Sequence, residues 1–368
     1  LARDEVHFAG EAVACVIADT RYIAEDAAAM VEIDWEILPA ASDARDAVQP
    51  GAPLSHVGAQ DNISARFVNE YGDTGAAFSS AAHSVSVSIR HHRGGGHSIE
   101  GRGAVALHDK DEGRTMLWSA TQAPHQVKRN IIGVLGWNEN EIDVIAPDVG
   151  GGFGPKAMFY AEEAVIPFLA RKLDRPIKWI EDRLEHLSAA SVAPNRVTEV
   201  EAAYTDDGMV TGLRLTHWDD HGAYLRAPMP APIYRMHGVS TNGYTIRNLE
   251  VTNHIMITNK CPTGAVRGFG GPQLYFGVER IMQKIATELG IDPLELMRRN
   301  LITSDQFPYK AIAGALLDSG DYHKTIDETI DEGGLSDLLK CRDDARKQGR
   351  MYGIGYASCV EPSQSNMG

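Results

Sequence analysis

Two glycine-rich stretches in this 368-residue sequence carry residue types that can bind anions. The first, GGGFGPK at 150–156, follows a strand-like run and precedes a helix-like run. The second, PTGAVRGFGGPQ at 262–273, also lies between a strand-like and a helix-like run. Both place glycines around a phenylalanine, and backbone without Cβ atoms lets N–H groups approach a large anionic ligand. The pair therefore indicates two loops that clamp one cofactor.

Neither stretch has the spacing of a common nucleotide-phosphate loop. A P-loop needs Gly before its Lys and Ser or Thr after it, whereas Lys156 stands between Pro155 and Ala157. A dinucleotide fingerprint needs G-x-G-x-x-G, but its last position is Pro155 in the first stretch and Gln273 in the second. GRGAVA, from Gly101, fits a looser form but leads into a strand-like hairpin instead of a helix. Two explanations of the glycine-rich stretches remain: tight turns that bind nothing, or loops that bind a ligand by another motif.

The segments around these stretches predict a mixed α+β protein with more than one domain. Alternation in HSVSVSIR predicts a strand, and runs around Asp-Glu-Gly and Asp-Asp-Gly predict two hairpins. Amphipathic patterns predict helices that end at Gly136 and Gly290. Residues 6–18 are typical of a half-buried strand, and a helix and a second strand closed by Pro39 follow. These elements would position the two loops.

The composition narrows the class of protein. With 43% hydrophobic and 23% charged residues, the chain is globular, and its net charge of −15 lacks the electrostatic footprint of nucleic-acid binding. The four cysteines show no C-x-x-C pair, so local spacing assembles no zinc or iron–sulfur site. No apolar run reaches about 18 residues, and LARDEVHFAG is not a cleavable signal. We expect a soluble, cytoplasmic protein without a membrane span.

Taken together with TQAPHQV and HSIEGRG upstream, GGGFGPK and AVRGFGGPQ resemble the large, molybdopterin-binding subunit of the xanthine dehydrogenase family. That family includes xanthine and aldehyde oxidoreductases, aerobic carbon monoxide dehydrogenases and bacterial N-heterocycle hydroxylases. The resemblance spans essentially the whole chain. It implies the end of an α/β hammerhead domain at 1–40, a linker at 41–82 and a first mixed α+β molybdopterin-binding domain at 83–305. The start of a second such domain follows at 306–368, truncated or completed by another chain.

The resemblance implies a molybdenum-dependent oxidoreductase that hydroxylates an aldehyde or an aromatic N-heterocycle. In that family a molybdenum-bound hydroxide attacks an electron-poor carbon, hydride passes to a sulfido ligand, and electrons leave through iron–sulfur clusters to FAD. The implied cofactor is molybdopterin with molybdenum, in the cytosine dinucleotide form. A medium subunit would carry FAD and a small subunit the 2Fe–2S clusters, in a hetero-oligomer without nucleic acid.

Site roles also follow from the resemblance. Gln122 would hydrogen-bond the apical oxo ligand, and Arg267 and Phe269 would line the substrate channel, with Phe269 stacked on an aromatic substrate. No side chain would bind molybdenum directly, because the pterin holds it. The implied cofactor-binding residues are Gly151, Gly152, Phe153, Gly154, Arg267, Gly268 and Gln273.

Positions that depart from the family bear on the substrate, for which Phe269, Ala157 and Arg235 are candidates. Ala157 stands where purine-oxidising members carry a substrate-binding glutamate, which disfavours xanthine. Arg235 lies 32 residues before Arg267, the offset of a substrate arginine in those members, although coincidence explains it better. Gly268 replaces the cysteine of copper-bearing carbon monoxide dehydrogenases, which disfavours a copper centre.

Other titratable residues favour structural roles. Glu100 and Arg102 correspond to a glutamate and an arginine of the family and predict a buried ion pair, with direct contact to the cofactor as the alternative. His91, His92 and His97 predict solvated loop histidines, because adjacent histidines do not easily share a face and no carboxylate completes a metal-ligand set.

The catalytic glutamate of the family is missing from the sequence. Nothing after Leu301 resembles its glycine-rich stretch, and Glu361 belongs to another motif. Loss of a general base slows such a reaction roughly 10²–10⁴-fold. The chain is therefore a fragment, or one half of a split subunit whose other chain supplies the glutamate. The alternatives are a catalytically silent half that binds partners but no cofactor, and a phosphate-binding module unrelated to molybdenum.

Overall fold

The large sheet of the computed structural model, which describes residues 1–362, has five strands. They are β1 Ile63–Tyr71, β2 His83–His91, β7 Asn195–Tyr204, β8 Val210–Asp220 and β9 Leu249–Met256. Their order is β1-β9-β8-β7-β2, with β8 and β9 parallel and the other neighbours antiparallel. The sheet thus brings the ends of β8 and β9 to the same edge, where the second glycine-rich stretch begins.

Helices α2 Thr74–Ser80, α6 Ala231–His237, α7 Gly271–Leu289 and α8 Pro293–Asn300 accompany this sheet. The main core forms between α7 and one face of the sheet, where Val200, Leu215 and Val251 meet Val278 and Ile285, all at most 2% exposed. Burial of this apolar face is what fixes the start of α7 against the sheet.

A smaller sheet carries the first glycine-rich stretch. Its strands are β3 Gly103–Asp109, β4 Arg114–Ser119, β5 Ile142–Ile145 and β6 Ile177–Ile180, in the order β5-β4-β3-β6. Helices α3 Pro124–Leu135 and α4 Ala161–Leu173 pack on it around Leu117, Ile131 and Ile166, and the short helix α5 Arg183–Ala189 follows β6.

The two ends of the chain carry few strands. Near the beginning lies α1 Arg21–Ala29. Toward the other end come β10 Tyr309–Lys310, β11 Leu316–Leu317, α9 Tyr322–Glu332 and α10 Leu335–Lys347, then a segment without helix or strand to residue 362. Of the predicted segment 306–368, residues 363–368 lie outside the described part. No helix in residues 1–362 is long and apolar enough to cross a membrane.

The mixed α+β class is confirmed, and the local turn signals explain much of it. Gly136 and Gly290, with φ of 67° and 65°, end α3 and α7 as predicted. The Asp-Glu-Gly and Asp-Asp-Gly turns join β3 to β4 and β7 to β8, with Gly113 and Gly208 at positive φ.

Two regions differ from the sequence-based expectation. Within residues 1–362, no strand forms at 6–18 or before Pro39, and a turn at residues 8–10 interrupts the first of these segments, where Gly10 has φ of 101°. A strand needs a paired neighbour, and none is described beside either segment. The stretch 41–82, expected to be an irregular linker, contains α2 and β1. Strand β1 is an edge strand with most side chains exposed, so it lacks the alternation that reveals a half-buried strand. Its partner β9 is distant in sequence.

Candidate functional site

The first glycine loop connects β5 to α4 with backbone that few residues adopt. Gly151, Gly154 and Phe153 have φ of 93°, 107° and 53°. Phe153 is a non-glycine residue in the left-handed region, and it is 45% exposed. Strained backbone of this kind persists where the surroundings determine it, often at ligand sites.

Gln122 lies against this loop at the start of α3. Its Oε1 accepts a hydrogen bond from the N–H of Gly154 at 2.9 Å. A Cβ on Gly152 would stand 2.6 Å from Cγ of Gln122, so the close approach requires glycine. The backbone N–H of Gln122 also donates to the carbonyl of Lys156 at 2.9 Å. Contacts on both sides of the loop thus hold Gln122 in place.

The second glycine loop contacts the first directly. The N–H of Arg267 donates to the carbonyl of Phe153 at 2.9 Å. A Cβ on Gly154 would stand 2.6 Å from the carbonyl carbon of Ala265. Gly268 has φ of 77° and lies beside the exposed side chain of Arg267. The structure therefore joins two stretches that the sequence separates, together with Gln122.

Gln273 completes this arrangement from the first turn of α7. It is 6% exposed, and within residues 1–362 its Oε1 has no hydrogen-bond partner. A buried oxygen of this kind costs free energy unless a donor meets it. Glycine backbone, a guanidinium and side-chain amides together suit an anionic cofactor rich in oxygen and nitrogen. Among the described residues, no group of three or more His, Cys, Asp or Glu could hold a metal ion.

Arg235, Phe269 and Glu361 meet beside the second loop. The Arg235 guanidinium forms an ion pair with Glu361, donates to the carbonyl of Phe269 at 3.3 Å and lies 5.4 Å from the Phe269 ring centroid. The hydroxyl of Tyr275 donates to Oε2 of Glu361 at 2.9 Å, and burial together with this carboxylate raises the pKa of Tyr275. Arg235 therefore lies beside Phe269, but its guanidinium is already paired with the Glu361 carboxylate. Sequence reasoning missed this pairing, since 126 positions separate the partners.

The predicted ion pair between Glu100 and Arg102 is wrong, because each residue has other partners. Glu100 accepts from Nζ of Lys156 and from the N–H of Gly150, both at 2.6 Å. Burial alone would raise the pKa of Glu100, but the Lys156 ammonium lowers it. Lys156 had no predicted role once the P-loop was excluded. Its side chain is 1% exposed, and its ion pair with Glu100 stabilises the first loop.

Arg102 belongs to a separate buried cluster. It pairs with Glu162 and Glu181, and its guanidinium lies 3.8 Å from the Tyr160 ring centroid. Burial opposes its charge, yet these neighbours raise the pKa of Arg102 above its ordinary value. Ala157 lies nearby in a short turn, where its N–H donates to the carbonyl of Gly154 at 2.8 Å.

The histidine prediction is confirmed for His92 and His97, which are exposed in loops, and is wrong for His91. His91 ends β2, its Nε2 is buried, and burial next to Arg196 lowers its pKa to about 4. His97 is exposed but contacts Nε2 of His186 through Nδ1 at 3.1 Å. Strand pairing and helix α5, which the local sequence does not reveal, place these two rings.

Comparison with known proteins shows the class of domain to which this fold belongs. A family described as "Molybdopterin cofactor-binding domain" matches residues 55–301. A second, "Aldehyde oxidase and xanthine dehydrogenase, a/b hammerhead domain", matches residues 1–39. The chain belongs to the molybdopterin cofactor-binding family of aldehyde oxidase and xanthine dehydrogenase relatives, as the sequence motifs predicted.

Individual relatives place the chain more closely. It is 35% identical to the nicotine 6-hydroxylase large subunit of Paenarthrobacter nicotinovorans, over 100% of this chain and 45% of that one. The chain is 33% identical to the carbon monoxide dehydrogenase large chain of Hydrogenophaga pseudoflava, over 90% of this chain and 43% of that one. The structure of quinoline 2-oxidoreductase from Pseudomonas putida 86 matches with a TM-score of 0.89 at 32% identity. The match covers 95% of this chain and 44% of that one. The chain thus spans about half the length of these relatives.

Proposed function

We propose that this chain forms the N-terminal cofactor-binding part of a molybdenum hydroxylase large subunit that oxidises an aldehyde or an aromatic N-heterocycle. The observation that carries the proposal is the contact between the two glycine loops beside Gln122. Family membership supports molybdopterin as the ligand. When bound, that cofactor supplies the oxidation chemistry, while the protein supplies binding and orientation.

The two glycine loops meet at residues 153–154 and 265–267, which we call the loop joint. Residues in and beside this joint hold the cofactor in different ways. The backbone N–H groups of Gly152 and Phe153 donate to it, and the exposed guanidinium of Arg267 pairs with its anionic groups. The amide of Gln122, fixed by the N–H of Gly154, orients the cofactor's polar edge. Gln273 meets a donor of the cofactor through its unpaired Oε1.

Phe269 and Arg235 form the substrate side of the proposed site. The Phe269 ring is partly exposed and offers an apolar face for an aromatic substrate. Arg235 is neutralised by Glu361, and Ala157 carries no charge, so this side suits a neutral ring. Nicotine 6-hydroxylase and quinoline 2-oxidoreductase, two of the relatives, are named for N-heterocycles, which supports that substrate class.

The general base and the electron acceptors belong outside residues 1–362 in this proposal. Glu361, the carboxylate beside Phe269, is held by Arg235 and Tyr275 and is not free to accept a proton from substrate. We assign the base to the part of the relatives that this chain does not span. The cytosine dinucleotide form and FAD and 2Fe–2S partner subunits are part of the proposal, and relatives named as subunits of complexes support the latter. The cytoplasmic location stays a prediction.

Metal analysis of the complete enzyme tests this function. The chain is purified from its host with every polypeptide that accompanies it, and molybdenum per chain is measured by mass spectrometry. We expect about one molybdenum per chain, and oxidation of quinoline-like or aldehyde substrates in a dye-coupled assay. A preparation free of molybdenum would refute the proposal and support a catalytically silent half.

A further inference from the structure

Four buried polar side chains run in a string from the interior of the large sheet to the base of the second glycine loop. Nε of Arg196 on β7 donates to Oδ1 of Asp219 on β8 at 2.7 Å. Nε2 of His221 lies 2.9 Å from Oδ2 of Asp219, at an angle too bent for a full hydrogen bond. Nδ1 of His221 lies 2.8 Å from Oγ1 of Thr263. We call these four residues the polar string.

The polar string is fully enclosed by protein. None of its residues is more than 2% exposed. Burial alone would raise the pKa of the Asp219 carboxyl, but Arg196 and His221 hold it well below its usual range. The charged carboxylate beside Nε2 favours the tautomer of His221 that carries its proton there. Nδ1 is then left to accept the hydroxyl proton of Thr263.

The sheet itself does not require these charges. Four positions further along the same face of β7, Val200 lies opposite Leu215 of β8, which in turn lies opposite Val251 of β9. All three are apolar and buried. Since well-packed apolar residues can replace buried ion pairs without loss of stability, packing alone does not explain the polar string.

The polar string ends where the two glycine loops join. The N–H of Thr263 donates to the carbonyl of His221 at 3.0 Å, so backbone and side chain hold the same residue. Two residues later, Ala265 lies against Gly154. Arg267 then donates its N–H to Phe153. The orientation of Thr263 therefore sets the path of the chain through the joint.

We propose that His221, backed by Asp219 and Arg196, is a positioning residue that fixes the second glycine loop through the hydroxyl of Thr263. This deepens the proposed function and rests on it only for the cofactor that the loop would hold. The order of the loop is a property of the polypeptide and is measured separately.

Hydrogen–deuterium exchange of the loop in the complete enzyme provides the test. Thr263→Val removes the hydroxyl at nearly constant volume, and Thr263→Ser keeps it. Thr115→Val is the matched control, because Thr115 is also fully buried and its Oγ1 lies 3.0 Å from Nδ1 of His108, in the smaller sheet. Exchange is followed by mass spectrometry in peptides that cover residues 263–271.

We expect Thr263→Val to speed exchange of the Arg267 amide at least tenfold, with less than a threefold change in Thr263→Ser and none in Thr115→Val. Equal exchange in wild type and Thr263→Val, or equal acceleration in the valine and serine variants, would overturn the proposal. If Thr263→Val does not fold, His221→Gln, which moves the polar group away from Thr263, must show the same acceleration. Molybdenum is measured in the same samples: its absence from wild type refutes the proposed function but leaves the exchange comparison intact.

Discussion

Substitution of Gly152 by alanine separates the function of the loop joint from its stability. The new Cβ would stand 2.6 Å from Cγ of Gln122, about 1 Å closer than ordinary contact between carbon atoms. The φ of Gly152 is not in the left-handed region, so backbone strain adds nothing. The exposed end of the Gln122 side chain can swing away and relieve the contact.

Gly152→Ala should therefore change the free energy of unfolding little and lower kcat strongly. Movement of Gln122 breaks its 2.9 Å bond to the N–H of Gly154, which lowers the free energy of unfolding by about 1 kcal/mol. In the proposed function, an orienting amide displaced by about 1 Å loses on the order of 10²-fold in rate. We expect Gly152→Ala to keep its fold, bind less molybdenum and lose about 10²-fold in kcat.

Two further glycines provide the comparison. In Gly154→Ala the Cβ meets the Ala265 backbone and φ is 107°, so no side chain can yield; we expect a loss of roughly 3 kcal/mol in stability as well as function. Gly133→Ala lies in α3 with nothing within 4 Å, and should gain about 0.5–1 kcal/mol and keep full activity.

The assays are urea unfolding, molybdenum content and kcat of the complete enzyme. Equal molybdenum content and kcat in Gly152→Ala and Gly133→Ala would refute the proposed role of Gln122. Equal instability of Gly152→Ala and Gly154→Ala would also refute it, since the contact would then lie with rigid backbone.

Three other predictions concern charged groups. Glu361→Gln frees the positive charge of Arg235, so kcat/KM for an anionic heterocycle should rise about tenfold relative to its neutral isostere; an unchanged ratio in paired steady-state assays would show that Arg235 does not face substrate. Burial raises the pKa of Glu163 to about 7 from an ordinary value near 4.5. Its contribution to stability is thus complete below pH 4.5 and is lost as the pH rises through 7, by up to about 3 kcal/mol. Urea unfolding at pH 5 and 8 should show that loss in wild type but not in Glu163→Gln, and parallel curves would contradict it. Arg102→Leu removes the guanidinium beside the buried Glu181 and leaves it only His186 and a backbone N–H. Chemical denaturation should therefore show a loss of about 3–5 kcal/mol, and a loss below about 1 kcal/mol would mean that water reaches the site.

Features of this protein that depend on neighbouring residues could be predicted from its sequence. Helix ends at Gly136 and Gly290 and the turns between β3 and β4 and between β7 and β8 depend on residues adjacent in the chain. The two glycine loops could be recognised because runs of glycine are visible in the sequence. A shared ligand was predicted from their likeness to each other and to a family. Local signals of this kind need no knowledge of the rest of the fold.

Tertiary structure alone decided which distant groups meet. The pairing of Arg235 with Glu361, of Glu100 with Lys156 and of His221 with Thr263 depends on chain segments that only the sheets bring together. Strand β1 escaped prediction because an edge strand lacks a buried face, and residues 6–18 stayed unpaired because a strand needs a neighbour. Which charged or hydrogen-bonding groups pair depends on their distance in the folded chain and not on their distance in the sequence. The reason is that any acidic or hydroxyl group within reach satisfies a buried donor equally well.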